Sequence, residues 1–124
     1  MKRILVIDDE EPIQEVICGC LEDLADWQVF TAASGIEGLQ MAISEPLDGI
    51  LLDISMPKLD GIEVLRLLKT NPRSRAIPVV LLTARVQPED QARFAALPIA
   101  GVISKPFDPL TLVDQVAEVL GWEV

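Results

Sequence analysis

Five short apolar runs punctuate the chain, and each is followed by a segment whose apolar residues recur with helical period. The runs are Arg3 to Ile7, Trp27 to Ala32, Gly49 to Leu52, Val79 to Leu82 and Ala100 to Ser104. At least sixteen residues separate one run from the next. A hairpin needs only about two to five, whereas a parallel pair needs a crossover of about a dozen or more. The pattern therefore predicts an α/β fold, a doubly wound five-stranded parallel sheet built from five βα units.

Local signals set the expected boundaries. A first helix spans Pro12 to Ala25, and Ser34-Gly-Ile-Glu37 reads as a capping box opening a helix to about Ser44. Asp60-Gly61 opens the third helix and Asn71-Pro72 ends it; Pro88 suits the first position of the fourth; Asp108-Pro109 is expected to cap and start the fifth. Trp27 to Ala32 alternates as an edge strand does, while Gly49 to Leu52 is apolar throughout, as befits a strand covered on both faces.

In such sheets chemistry gathers at the carboxyl ends of the strands, near the point where strand order reverses. Asp8 and Asp9 end the first run, Asp53 the third, Thr83 the fourth and Lys105 the fifth. Three carboxylates on one rim repel one another, and a hard divalent cation with oxygen ligands is the natural counter-ion. Magnesium fits, since it keeps waters, accepts a phosphate oxygen and leaves one carboxylate free as a nucleophile toward a phosphoryl donor. Thr83 can hydrogen-bond one phosphoryl oxygen and the Lys105 ammonium can pair with another.

Composition narrows the setting. At 124 residues, half of them hydrophobic, the chain is expected to form one domain, residues 1–124, burying roughly two thirds of its unfolded surface. The apolar stretch after Met1-Lys2-Arg3 is too short for a signal peptide, and none approaches the roughly 18 residues of a membrane span. Cys18 and Cys20, the only cysteines, would point about 200° apart on a helix, a poor geometry for a disulfide, so a cytoplasmic, soluble protein is expected. Residues 1–57 carry twelve acidic against two basic side chains, and 58–124 carry eight of each. That imbalance argues against direct nucleic-acid binding and for a cation or a basic partner.

The motifs Ile7-Asp8-Asp9-Glu10, Leu52-Asp53-Ile54-Ser55-Met56-Pro57 with Asp60-Gly61, Leu82-Thr83-Ala84 and Ser104-Lys105-Pro106-Phe107 stand in an order that resembles the response-regulator receiver family over essentially the whole chain. The resemblance implies a flavodoxin-like sheet with strand order 2-1-3-4-5. It implies Asp53 as phosphoacceptor, with Asp9, Asp53 and the Ser55 carbonyl binding Mg2+ directly and Asp8 acting largely through water. Thr83 and Lys105 would bind the phosphoryl oxygens, and the Lys105–Pro106 bond would be cis. Such a chain would catalyse only its own Mg-dependent phosphorylation and dephosphorylation. Its phosphodonor would be a histidine kinase or phosphotransfer protein docking near the first helix and the active-site loops. Val102 stands where the family usually carries an aromatic ring three residues before the lysine, and the usual readout by that ring is not available here. Ser55 and Arg85 occupy the positions flanking the path of attacking water.

Two further surfaces stand out. In the fifth helix Leu110, Leu112, Val113, Val116, Ala117, Val119 and Leu120 cover about half the wheel, either as a broadly buried helix or as a homodimer or partner surface with the fourth helix and fifth strand. Arg66, Lys69, Arg73 and Arg75 form a basic cluster that reads as a solvated face. A chain that ends after its fifth helix would signal in trans to a downstream protein effector; the alternatives are a pseudo-receiver, or a receiver cut from a longer protein, acting as an interaction module. A haloacid-dehalogenase phosphohydrolase would need a second Asp at position 55, and a flavodoxin would need a hydroxyl-rich loop in place of Asp8-Asp9-Glu10-Glu11.

Overall fold

A computed structural model of the chain describes residues 2–54, 61–84, 87–105 and 107–122. Strands and helices alternate: β1 Arg3–Ile7, α1 Glu11–Ala25, β2 Gln28–Ala32, α2 Gly35–Ser44, β3 Gly49–Asp53, α3 Gly61–Thr70, β4 Val79–Thr83, α4 Pro88–Ala95, β5 Gly101–Ser104 and α5 Leu112–Leu120. All strand pairs are parallel, as the crossover lengths implied, and the order is β2-β1-β3-β4-β5, as the resemblance implied. Order reverses between β1 and β3, which places the crevice of a doubly wound sheet above those two strands.

Side chains alternate across the sheet. Leu5, Ile7, Ile50, Leu52, Val79 and Leu81 face α2, α3 and α4, meeting Ala42, Val64, Leu68 and Phe94. Ile4, Val6, Leu51, Val80, Leu82 and Ile103 face α1 and α5, meeting Ile17, Leu21, Leu112 and Val116. Two separate apolar layers thus sandwich the sheet, and each fully buried Leu or Ile removes apolar surface from water worth about 1.5–3 kcal/mol. The same alternation continues past the strand ends. Asp8, Asp53 and Lys105 fall in line with the α1/α5 set, Thr83 with the other.

Ser34 caps α2 as expected, its hydroxyl accepting the Glu37 N–H at 3.2 Å. The start of α5 differs from the sequence reading. The Asp108 carboxylate accepts the Leu110 N–H at 2.9 Å and its carbonyl the Thr111 N–H at 3.0 Å, so residues 108–111 close a turn and regular helix begins only at Leu112. The apolar breadth of α5 is mostly spent on the core: Leu112, Val113, Val116 and Ala117 are buried, Val119 and Leu120 half-buried, and only Leu110, ahead of the helix, is widely exposed. In the basic cluster Arg66, Arg73 and Arg75 are exposed, as a solvated face requires, and only Lys69 is half-buried. Lys69 donates to the carbonyls of Arg75 and Ile77, and burial pulls its pKa down. At the opposite end of the sheet from the acidic rim, Trp122 meets Trp27 edge to face at 5.0 Å. Both cysteines are free and half-buried. Among the described residues no helix is long and apolar enough to cross a membrane.

Candidate active site

The strand register brings the rim together. Asp53 is level with Leu82, and Thr83 with Ser104, so the ends of β3, β4 and β5 lie within one residue of the same height. Two backbone bonds carry the alignment past the ladder: Ile54 N–H to the Leu82 carbonyl at 3.3 Å and Lys105 N–H to the Thr83 carbonyl at 2.8 Å. Gly61, first residue of α3, sits where a Cβ would lie 2.3 Å from the Ile54 Cα and 2.8 Å from the Asp53 carbonyl oxygen. Only glycine allows α3 to start so close behind β3.

Asp8, Asp53 and Thr83 are fully buried polar side chains, a costly arrangement unless they are partnered. The Lys105 ammonium supplies the compensation, 3.2 Å from Asp8 Oδ2 and 3.1 Å from Asp53 Oδ2. Carboxylate oxygens of Asp8, Asp9, Glu10 and Asp53 all lie within 4.8 Å of one another, with Asp9 and Glu10 open to solvent. Burial, helped by the charge of Asp53, raises the Asp8 carboxyl above its ordinary range against the pull of the Glu10 N–H and Lys105. For Lys105, burial alone would lower the pKa, but Asp53 and Asp8 together hold it above the usual lysine value.

Asp8 is held at every polar atom. Its Oδ1 accepts the Glu10 N–H at 2.9 Å, its N–H donates to the Ala32 carbonyl at 3.1 Å, and its carbonyl accepts from Gln14 of α1. The structure therefore gathers Asp8, Asp9, Asp53, Thr83 and Lys105 at one rim. Ser55, Arg85 and Pro106, and with them the expected carbonyl ligand, water-path residue and cis bond, lie outside the described residues. Glu10 and Gln14 had no assigned place in the sequence reading. Glu10 was legible as the fourth acid of its motif; Gln14, bonding a carbonyl eighteen residues away, carried no local signal.

The response regulator receiver domain family matches residues 4–117. The chain belongs to that family. Among curated relatives, the receiver is 38% identical over 120 residues to the phosphate regulon transcriptional regulatory protein PhoB of Klebsiella pneumoniae, which covers 96% of this chain and 52% of that protein. It is 35% identical to the DNA-binding dual master transcriptional regulator RpaA of Synechocystis, covering 97% of this chain and 49% of the relative. The receiver thus spans about half the length of these relatives. Among solved structures, the chemotaxis protein CheY4 of Vibrio cholerae matches with a TM-score of 0.88 and 31% identity, covering 96% of this chain and 98% of that one. The receiver domain of sensor histidine kinase PA1611 from Pseudomonas aeruginosa matches with a TM-score of 0.84 and 28% identity, covering 97% and 98%, and carries a magnesium ion coordinated in its active-site cleft. This protein is accordingly a receiver domain of the two-component response regulators, with an acidic cluster in the corresponding cleft.

Proposed function

We propose that the receiver accepts one phosphoryl group on Asp53 from a phosphohistidine donor, with Mg2+ bound by the acidic cluster. The observation that carries this reading is the Lys105 ammonium, which bridges two buried carboxylates, Asp8 and Asp53, on a rim crowded by Asp9 and Glu10. An all-oxygen carboxylate set suits a hard cation and offers nothing to a soft one. Asp9, Asp53 and the Ser55 carbonyl would hold the ion, Asp8 assisting through water. Bound there, the ion supplies positive charge against an incoming phosphoryl group and neutralises the carboxylates.

An Asp53 carboxylate oxygen then attacks phosphorus while the bond from phosphorus to the donor nitrogen breaks, and that nitrogen keeps the electron pair. Lys105, released from its two carboxylates, pairs with one phosphoryl oxygen, and the Thr83 hydroxyl donates to another. The only reaction catalysed is this self-modification and its hydrolysis, so the protein is a signalling domain and not an enzyme acting on external substrates.

An apolar pocket of about 340 Å³, lined by Ile13, Val16, Ala84, Phe107 and Pro109, opens beside Lys105. It suits docking of a histidine kinase or phosphotransfer protein, whose helical surface would cover Val16, now 44% exposed. A second groove of about 440 Å³ between α4 and β5, with Phe94, Leu97, Ile99 and Val102 in its walls, is available to a downstream effector or a second receiver.

The test is incubation with acetyl phosphate or phosphoramidate and Mg2+, followed by intact-mass measurement. One added phosphoryl group is expected, absent after chelation and absent in Asp53→Asn. An unchanged wild-type mass would refute the reading. Comparing oligomeric state with and without beryllofluoride tests the second groove.

A further inference from the structure

Gln14 stands in the fourth position of α1 and is half-buried beneath the acidic loop. Both hydrogens of its side-chain amide are engaged by main-chain carbonyls: one by Asp8, the other by Ala32 at 2.9 Å. The Ala32 carbonyl also takes the Asp8 N–H at 3.1 Å. One amide thus ties the end of β1, the end of β2 and the first turns of α1 into a single closed network.

The geometry has a specific consequence for Asp9. The carbonyl of Asp8 and the amide nitrogen of Asp9 share one peptide plane, so a donor fixed on that oxygen fixes the plane. The direction in which the chain turns toward the Asp9 carboxylate follows from it. Asp8 itself is also held through Oδ1 by the Glu10 N–H and through Oδ2 by Lys105. Gln14 secures the main chain where those bonds secure the side chain.

We infer that Gln14 is a positioning residue that orients the Asp8–Asp9 peptide so that the acidic cluster is pre-shaped for an octahedral cation. The inference rests on the magnesium reading above. Outer partners that orient ligands commonly contribute about tenfold or more in metal affinity. The effect should also depend on the cation, since Mg2+ demands near-ideal octahedral geometry whereas Ca2+ tolerates an irregular one. A loosened loop should therefore cost magnesium more than calcium.

The experiment is calorimetric titration of wild type, Gln14→Met and Gln14→Glu with magnesium chloride and, separately, calcium chloride, alongside melting curves in chelator. Gln14→Met keeps length and removes both donors; Gln14→Glu removes them and adds a charge that by itself favours either cation. For Gln14→Met we expect magnesium affinity to fall about tenfold and calcium affinity about twofold or less. In both variants the ratio of magnesium to calcium affinity should fall. The acetyl phosphate rate at saturating Mg2+ should stay within about twofold of wild type while the Mg2+ needed for half-maximal rate rises. A lowered melting temperature with an unchanged affinity ratio would make Gln14 merely structural and overturn the inference. Should one variant fail to fold, the ratio in the other decides. Wild type that binds no magnesium would remove the magnesium reading as well, so the two failures are distinguishable.

Discussion

Replacing Asp8 by asparagine should make the metal-free receiver more stable. Two unit charges 4.8 Å apart, the outer limit for the clustered carboxylates, repel by about 3.5 kcal/mol at an effective dielectric of about 20. Asp8 feels this from buried Asp53, and about half as much from solvent-screened Asp9. Lys105, 3.2 Å away, returns about 5 kcal/mol on the same scale. Attraction and repulsion therefore nearly cancel, and what remains is the desolvation of a carboxylate with no solvent exposure, offset in part by its hydrogen bonds, about 2 kcal/mol. Asparagine is nearly isosteric and its amide oxygen can still accept the Glu10 N–H; its NH2 then faces Lys105, which turns to Asp53, its other partner. For a chain of 124 residues the gain corresponds to a rise of about 6–8 °C in Tm. The raised pKa of the Asp8 carboxyl, due first to burial and then to Asp53, sets the pH dependence. The native state holds that proton more tightly than the unfolded chain, so wild-type stability climbs relative to the variant as pH falls through the folded value toward 3.8. The assay is thermal unfolding in chelator at pH 7 and pH 4, repeated with Mg2+ at pH 7. The gap should be wide at pH 7 and closed at pH 4, and magnesium should stabilise wild type far more than the variant. A variant that melts at or below wild type in chelator at pH 7 would refute the reasoning, because Lys105 would then outweigh burial and repulsion.

The other expectations concern the same rim. Lys105→Met should destabilise the metal-free protein at neutral pH by about 3 kcal/mol, since it leaves two buried carboxylates uncompensated. Because the folded pKa of Lys105 lies above 10.5, its stabilisation is complete below that pH and lost above it; the melting gap to the variant should shrink as pH climbs, and a constant gap would contradict the pairing. Gly61→Ala should cost about 3 kcal/mol or more and slow acetyl phosphate labelling, since the new methyl meets backbone at Ile54 and Asp53. Gly38→Ala, which meets only the Ile7 side chain, should cost less, and the reverse order in chemical denaturation would contradict the close approach of α3 to β3. Ser34→Ala should lose about 1 kcal/mol of stability from the α2 cap and leave labelling unchanged.

Much of this rim was legible because it is written at strand ends. A parallel strand announces itself as a short apolar run, and the first polar residue after it must stand at the carboxyl edge, which places Asp8, Asp53, Thr83 and Lys105 without knowledge of packing. What escaped were bonds that depend on three dimensions. Gln14 reaches the carbonyl of Asp8, just past β1, and that of Ala32 at the end of β2, eighteen residues away, and nothing in its neighbourhood marks it. The start of α5 was misplaced because an Asp-Pro pair signals a turn as readily as a helix, and here the Asp108 carboxylate closes the turn. The breadth of apolar residues on α5 left a broadly buried helix and a partner surface both open; packed against both α1 and the sheet, the helix buries more of its circumference than a helix on a single flat face.

The two apolar layers meet the rim in an uneven way. Asp8, Asp53 and Lys105 crown the layer that holds α1 and α5, whereas Thr83 crowns the one that holds α2, α3 and α4. A group seated on Asp53 and gripped by Thr83 would straddle the sheet like a staple driven over the top of a wall. Such a group would bear on both faces of the sheet at once, through Thr83 on one side and Lys105 on the other.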